Sequence, residues 1–361
     1  MRLKEYSDFE EKSKRFEKHI VIDSLELLEK FLNKVPELNK SNKVFRGVGD
    51  SKYMIYTSAQ RTWITQELKY RFESFESYLK QIVSSFLSTN PVIAKFFEKI
   101  EIPPKEIPVL SYLQHYGAPT PLIDFSHNLN VALYFAVDGL RHNPGNEIDN
   151  YFSVYILDEI NEVSFQQKIK EEMEVLLKID PKDILKRMPK SDQENEIRSL
   201  ESIKKMFVKM EKSIKERLLD LKNFPKAAPE LISASEINDI NYFTHSNLNI
   251  LNQEGIFVLN TLAYTPLEEA FDIWKLLFLI KDKEKEDLIS SDEGEYNLSN
   301  SFDFLIEQRK KPIKNSLTCI NIHKSFKEYV QNHLVNNGVT EGYIYPNVNS
   351  MIKNSIKNML K

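Results

Sequence analysis

The sequence predicts an α+β fold, a mixed sheet core flanked by helices and carrying a long helical insertion. Three observations predict it. Short β-favouring runs alternate with amphipathic helical stretches along the whole chain. The segment LNQEGIFVLN (251–260) reads as a strand buried on both faces, since Ile256 and Val258 fill one alternating set and Phe257 and Leu259 the other. Between Gln193 and Phe224, apolar residues such as Ile197, Ile203, Phe207, Met210 and Leu221 return at helical spacing among dense charge, the pattern of one long amphipathic helix. The organisation expected is an N-terminal part over 1–159, a helical insertion over 160–240 and a C-terminal part over 241–361.

Taken in order, residues 23–35 open with Asp23 and Ser24 as capping candidates and place Glu26 in the first turn of an amphipathic helix. In NKVFRGVGDSKY, Val44 and Phe45 run into Arg46 and Gly47, which reads as a short strand ending in a tight turn. Residues 65–99 are helical, broken at Asn90-Pro91, and their aromatic residues are read as core anchors. A helix over VLSYLQHY stops at Gly117, a left-handed C-terminal position. The strand LIDF follows, then Ser126 as N-cap of the apolar helix LNVALYFAVDGL. A turn at Asn143-Pro144-Gly145 leads to the strand YFSVYIL. Residues 281–301 read as a solvated loop, and the C-terminal stretch as strand, helix, a turn at Asn337-Gly338 and a basic terminal helix bearing Lys353, Lys357 and Lys361.

Composition removes several classes. The 361 residues suffice for a buried core without metal or disulfide support. The single Cys319 excludes an intrachain disulfide or a four-cysteine zinc site and suits a reducing, cytoplasmic setting. Forty-nine basic against 53 acidic side chains give a net charge of -4, so nucleic acid is not an expected partner of the whole molecule. The N-terminus lacks the apolar core of a signal peptide, and no apolar run is long enough to span a membrane. No Walker-A loop, nucleophile elbow, HExxH or GxGxxG occurs, and no metal or tightly bound cofactor is expected. Only nine glycines occur, and those in RGVG, HYG and QEG mark motif-like segments.

The residues that could carry chemistry lie in those segments. Arg46 precedes glycines, so its guanidinium could meet a phosphate bidentately while the turn backbone at Gly47 approaches the ligand. Gln114, His115 and Tyr116 offer an amide, an imidazole and a phenol at a helix end. Asp124 stands on a strand otherwise apolar, where a buried carboxylate needs a partner such as Arg46 or Arg61. Glu254, beside Gln253 before a buried strand, could bind a ribose hydroxyl or steady an oxocarbenium charge.

The motifs VFRGVGD (44–50), QHYGAPTPLIDFSHNLNVALYFA (114–136), NQEGIFVL (252–259) and GVTEGYIYPNV together resemble the FRG domain family, named for the Phe-Arg-Gly found here at Phe45, Arg46 and Gly47. The resemblance implies coverage of most of the chain outside the insertion, and an association of some members with bacterial and phage defence loci. The central pattern departs from the family form QHYGxPTRLLDWT: Pro121 stands where arginine is common, and Phe125-Ser126 replaces Trp-Thr.

In the order of its parts the chain is also similar to ADP-ribosyltransferase folds: Arg46-Gly47 on a first strand, Asp124-Phe125-Ser126 feeding an A-x-x-F-A helix, then Glu254 at a later strand. The Ser-Thr-Ser triplet of those folds is absent, and Gln253 competes with Glu254 for the key position. This likeness implies NAD as substrate, with Arg46 on the diphosphate, Ser126 supporting the scaffold, Tyr116 or Phe125 stacking on nicotinamide, and Glu254 orienting the ribose. Two functions are therefore expected as alternatives. One is an NAD-cleaving or ADP-ribosyl-transferring effector of a defence or toxin system, with Glu254, Arg46 and His115 as catalytic candidates. The other is a non-catalytic module that senses a nucleotide, or a protein partner through the 193–224 helix. The first requires Arg46, the 114–128 segment and Glu254 to converge on one pocket; the second predicts the same pocket with Glu254 turned away, or an apolar stripe of the 193–224 helix left exposed.

Overall fold

The computed structural model describes residues 1–16, 18–140, 145–158, 178, 180, 183, 196–217, 219–224, 229–232, 248–277 and 317–347. The loop expected over 281–301, the turn residues Asn143 and Pro144, and the basic terminal helix lie outside the described residues. The strands are β1 (Lys18–Ile22), β2 (Lys43–Val48), β3 (Leu122–Ser126), β4 (Tyr151–Asp158), β5 (Glu230–Ile232), β6 (Gly255–Leu259) and β7 (Leu317–His323). They form one mixed seven-stranded sheet in the order β1-β7-β4-β2-β3-β6-β5. Only β1 and β7 pair in parallel; the other neighbours are antiparallel. The sheet takes β5 from within residues 160–240 and pairs it with β6.

The helices are, in order, α1 (Phe9–Ser13), α2 (Leu25–Leu32), α3 (Val35–Leu38), α4 (Ser58–Thr65), α5 (Phe75–Thr89), α6 (Pro91–Lys99), α7 (Glu106–Gln114), α8 (Leu129–Asp138), α9 (Glu196–Arg217), α10 (Leu248–Gln253), α11 (Leu267–Leu277), α12 (Lys327–Asn336) and α13 (Glu341–Ile344). Strand alternation sends two core clusters to opposite faces of the sheet. Phe45, Phe152, Val154, Ile156, Ile320 and Ile322 pack with α2, α8 and α12, whereas Val44, Tyr155, Leu157 and Cys319 pack on the other face with α4, α5 and α7. This is the mixed sheet flanked by helices that the sequence predicts, and α9 is its long helical stretch.

Local expectations shift where tertiary contacts intervene. The strand through Val44 does not end at Arg46: β2 runs on to Val48, because Arg46, Gly47 and Val48 stay in register with Tyr155, Val154 and Ser153 of β4. The glycines serve helix packing. A Cβ on Gly47 would lie 1.8 Å from the Ala132 carbonyl oxygen, and one on Gly49 would lie 2.0 Å from that of Gly139, so α8 and its C-cap rest directly on the backbone of β2 and of Gly49 just after it. Ser126 is the last residue of β3 and its hydroxyl is engaged across the sheet, so the N-cap of α8 passes to Asn128, whose side chain accepts from the Asn130 N–H. Ser24 caps α2 as expected, but that helix closes at Leu32 and the next begins at Val35. The 65–99 stretch holds only the end of α4 and a 3-10 turn at Leu68–Tyr70 before α5 begins at Phe75; it breaks at Asn90 and leaves Tyr70 76% exposed, outside the core. Residues 251–253 are helical, and the strand begins at Gly255; from Ile256 to Leu259 every side chain is buried, as two-sided burial predicts.

Beyond α9, Leu219, Leu221 and Phe224 enter the main core, and the Ile107 N–H donates to the Leu219 carbonyl at 3.0 Å. The charged N-terminus is also built in. Lys12 is fully buried, with Nζ donating to the Ser51 carbonyl at 2.6 Å and to Ser153 Oγ and Asn321 Oδ1 at 2.8 Å. Tyr6 donates to Glu268 at 2.8 Å, and Arg15 pairs with Glu269 at 3.5 Å.

Candidate functional site

Strands β2 and β3 are neighbours, yet they meet at a single register pair, Phe45 with Ser126. From there toward Leu122 they diverge, leaving strand polar groups that no ladder satisfies. The Arg46 guanidinium spans that wedge and donates from Nη1 to the Asp124 carbonyl at 2.6 Å. A cavity of about 370 Å³ opens on the same wedge, walled by β2, β3 and β6, by α8 and α10 and by the C-terminal end of α7. Three adjacent strands thus carry to one place the motifs that the sequence holds more than 200 residues apart.

Arg46 lines this cavity with its Nε sealed from solvent and without a hydrogen-bond partner among the described residues. Burial pushes its pKa below the usual arginine range, while Asp124, Tyr155 and Glu268 act in the opposite direction. A cationic donor so placed is a ready anchor for an anion.

Asp124 is the exposed residue of β3, its neighbours on the strand being buried, and this corrects the expectation of a buried carboxylate. The reason is the wedge, which turns this position toward the pocket. Its side-chain partner is also not an arginine: Gln114 Nε2 donates to Asp124 Oδ2 at 2.7 Å. Thr120, fully buried, donates its hydroxyl to Gln114 Oε1, which leaves the amide nitrogen facing the carboxylate. His115, the C-cap of α7, lines the pocket with its ring 5.5 Å from that of Phe257. Gly47, Phe125 and Ser126 complete the predicted residues found in the lining, and Phe45, Phe135 and Tyr345 add apolar wall.

Two predicted residues stand elsewhere. Tyr116 is 66% exposed against Tyr112 and does not line the cavity. Glu254 occupies the turn between α10 and β6 in a left-handed conformation, φ +48°. Its carboxylate accepts from Asn128 Nδ2 at 3.0 Å, and its carbonyl accepts from the His127 N–H at 3.0 Å. The residues on either side of it, Gln253 and Gly255, do line the pocket. Gln253 Nε2 donates to the Ile344 carbonyl at 3.1 Å, and its own carbonyl accepts from Ser126 Oγ at 2.6 Å. Ser126 therefore ties β3 to the α10 turn, a scaffold role. Arg61 donates to the Tyr56 carbonyl at 2.7 Å and lies outside the lining.

Asn249, Ile250, Phe135 and Tyr345 also line the cavity, and sequence reasoning did not select them. Phe135 belongs to an apolar helix and reads as core. The others arrive through α10 and the C-terminal turn, whose approach to β3 no local pattern announces. Among the described residues no group of three or more His, Cys, Asp or Glu gathers as a metal site requires, and no helix is long and apolar enough to cross a membrane.

An FRG domain model matches residues 41–144, so the chain carries an FRG domain there. That span is narrower than the motifs suggested: it holds Arg46, Gly47 and the whole 114–126 group, while β6, Gln253 and Glu254 fall outside it. No curated protein and no solved structure matches the chain, and the comparisons bring no support to the likeness with ADP-ribosyltransferases.

Proposed function

We propose that this pocket takes NAD and that the protein is an NAD-cleaving or ADP-ribosyl-transferring effector, of the kind a defence or toxin system would use. The observation carrying the reading is the half-buried guanidinium of Arg46, its Nε without a partner among the described residues, in a cavity walled by β2, β3, α10 and β6. Arg46 would hold the diphosphate, and Phe125 and the other aromatic residues would flank the base. In the reaction the bond between ribose C1′ and the nicotinamide nitrogen breaks, the pair of electrons leaves with nicotinamide, and positive charge develops on the sugar. Water or an acceptor side chain then attacks C1′ and gives up a proton. Glu254, one residue from the lining on either side, is the carboxylate that would steady this charge once a ribose hydroxyl takes over the hydrogen bond Asn128 now makes.

A second reading is favoured by that same hydrogen bond. Asn128 holds the Glu254 carboxylate outside the lining, while its neighbour Gln253, which carries no charge, is a lining residue. A nucleotide-sensing module without chemistry would have this arrangement. The deciding experiment follows nicotinamide release and, by calorimetry, NAD binding in the wild type, Arg46→Lys and Glu254→Gln. Release lost in both variants supports the enzyme. Binding without release, weakened by Arg46→Lys alone, supports the sensor. Wild-type protein that neither cleaves nor binds NAD overturns both.

A further inference from the structure

The pocket that Arg46 anchors also contains a carboxylate, and its place indicates which nucleotides the pocket admits. Among the described lining residues Arg46 is the one lysine or arginine and Asp124 the one acid. They are adjacent by construction, because Arg46 Nη1 donates to the backbone carbonyl of Asp124 itself. The Asp124 side chain is fixed by a relay from the buried Thr120 through Gln114, which engages Oδ2. Among the described residues no hydrogen bond engages Oδ1, and Asp124 is itself an exposed residue that lines the pocket. Glu254, next in sequence to the lining residues Gln253 and Gly255, keeps its carboxylate on Asn128 outside the lining. Arg61 is close enough to influence Arg46 and interact with Asp124, but its guanidinium is held by Tyr56 and it does not line the cavity.

We infer that Asp124 is a specificity-determining residue that admits a nucleotide whose phosphates are diesters and excludes one bearing a terminal phosphate dianion. A single guanidinium can match a diphosphate diester, whose remaining polar groups near Asp124 are ribose hydroxyls that donate to the free Oδ1. A phosphomonoester brings roughly one to two further negative charges and no donor, so it meets the carboxylate unpaired. The inference rests on the pocket being a nucleotide site, as proposed above, and its test separates the two.

Calorimetric titrations would compare NAD with NADP and ATP on the wild type, Asp124→Asn and Asp124→Glu at two salt concentrations. The wild type is expected to prefer NAD by on the order of tenfold or more, from one extra unit of charge repulsion at an intermediate dielectric. Asp124→Asn should collapse that preference by strengthening NADP and ATP binding, Asp124→Glu should keep it, and added salt should narrow it. If the wild type binds none of the three, the nucleotide reading fails. If it binds NAD but prefers NADP or ATP, or if Asp124→Asn leaves the ratio unchanged, the nucleotide reading stands and the inference is overturned. Asp124→Ser replaces Asp124→Asn should the latter melt early, with the same collapse required.

Discussion

Replacing Gly47 by alanine should disrupt the pocket through the backbone. The added Cβ would lie 1.8 Å from the Ala132 carbonyl oxygen and 2.7 Å from the Ala136 nitrogen, both main-chain atoms that no rotamer can move aside. Relief requires α8 to lift from β2 by roughly 1 Å or more, against a helix whose Leu129, Val131, Leu133 and Ala136 side chains are fully buried. Overpacking of this kind costs about 1–3 kcal/mol, and more where backbone opposes backbone; the lower entropy of the unfolded alanine chain offsets under ~1 kcal/mol. The net loss expected is about 2–4 kcal/mol, read by urea unfolding. Gly117→Ala is the control: its φ of +77° disfavours alanine, but nothing lies within 4 Å of the new methyl, so the loss should stay near 1 kcal/mol. A Gly47→Ala protein as stable as wild type, or more stable than Gly117→Ala, would refute the claim that β2 and α8 need this close contact.

Three further outcomes follow from polar groups of the core and of the α8 cap. Burial raises the Glu268 carboxyl to about 7 from an ordinary 4.5, so the folded chain keeps a proton that the unfolded chain has released. This contribution is complete below about pH 4.5 and lost as pH rises through about 7, a change of roughly 3 kcal/mol, and Glu268→Gln should remove that slope from a plot of stability against pH. Lys12→Ala removes the donor shared by the Ser51 carbonyl, Ser153 and Asn321, leaves Ser153 and Asn321 only the bonds they make with each other and their neighbours, and should cost about 3–5 kcal/mol in chemical unfolding, with Lys12→Met costing less because it refills the volume. Asn128→Ala removes the α8 cap for about 1 kcal/mol of thermal stability, whereas Asn128→Asp keeps the cap acceptor but sets a carboxylate against Glu254; only the second should add a stability loss that salt reduces.

How much of this was legible beforehand differs by residue. Phe257 and its neighbours on β6, the C-terminal stop at Gly117 and the break at Asn90 were readable because each depends on a local pattern of side chains or backbone freedom. The grouping of Arg46 with Gln114, His115, Asp124, Phe125 and Ser126 was also marked, by polar residues placed at the ends of apolar elements. What sequence alone left open was orientation. Glu254 and Gln253 are adjacent on a chain whose following strand is apolar on both faces, so parity could not say which faces the pocket. That was decided by the left-handed turn after α10 and by Asn128, which takes the carboxylate.

The sequence by itself therefore determined the fold class, the position of most strands and helices, and the cluster of motifs from which the site is assembled, because periodicity, caps and glycines act over a few residues. Tertiary structure alone decided that β2 and β3 part after a single pair, that Arg46 fills the gap, that Asp124 is exposed toward the pocket, and that Lys12 in a densely charged segment is fully buried. Those outcomes depend on hydrogen-bonding groups brought together from distant parts of the chain. A lysine surrounded by charged neighbours in sequence carries no mark of the three oxygens, near residues 51, 153 and 321, that make its burial possible.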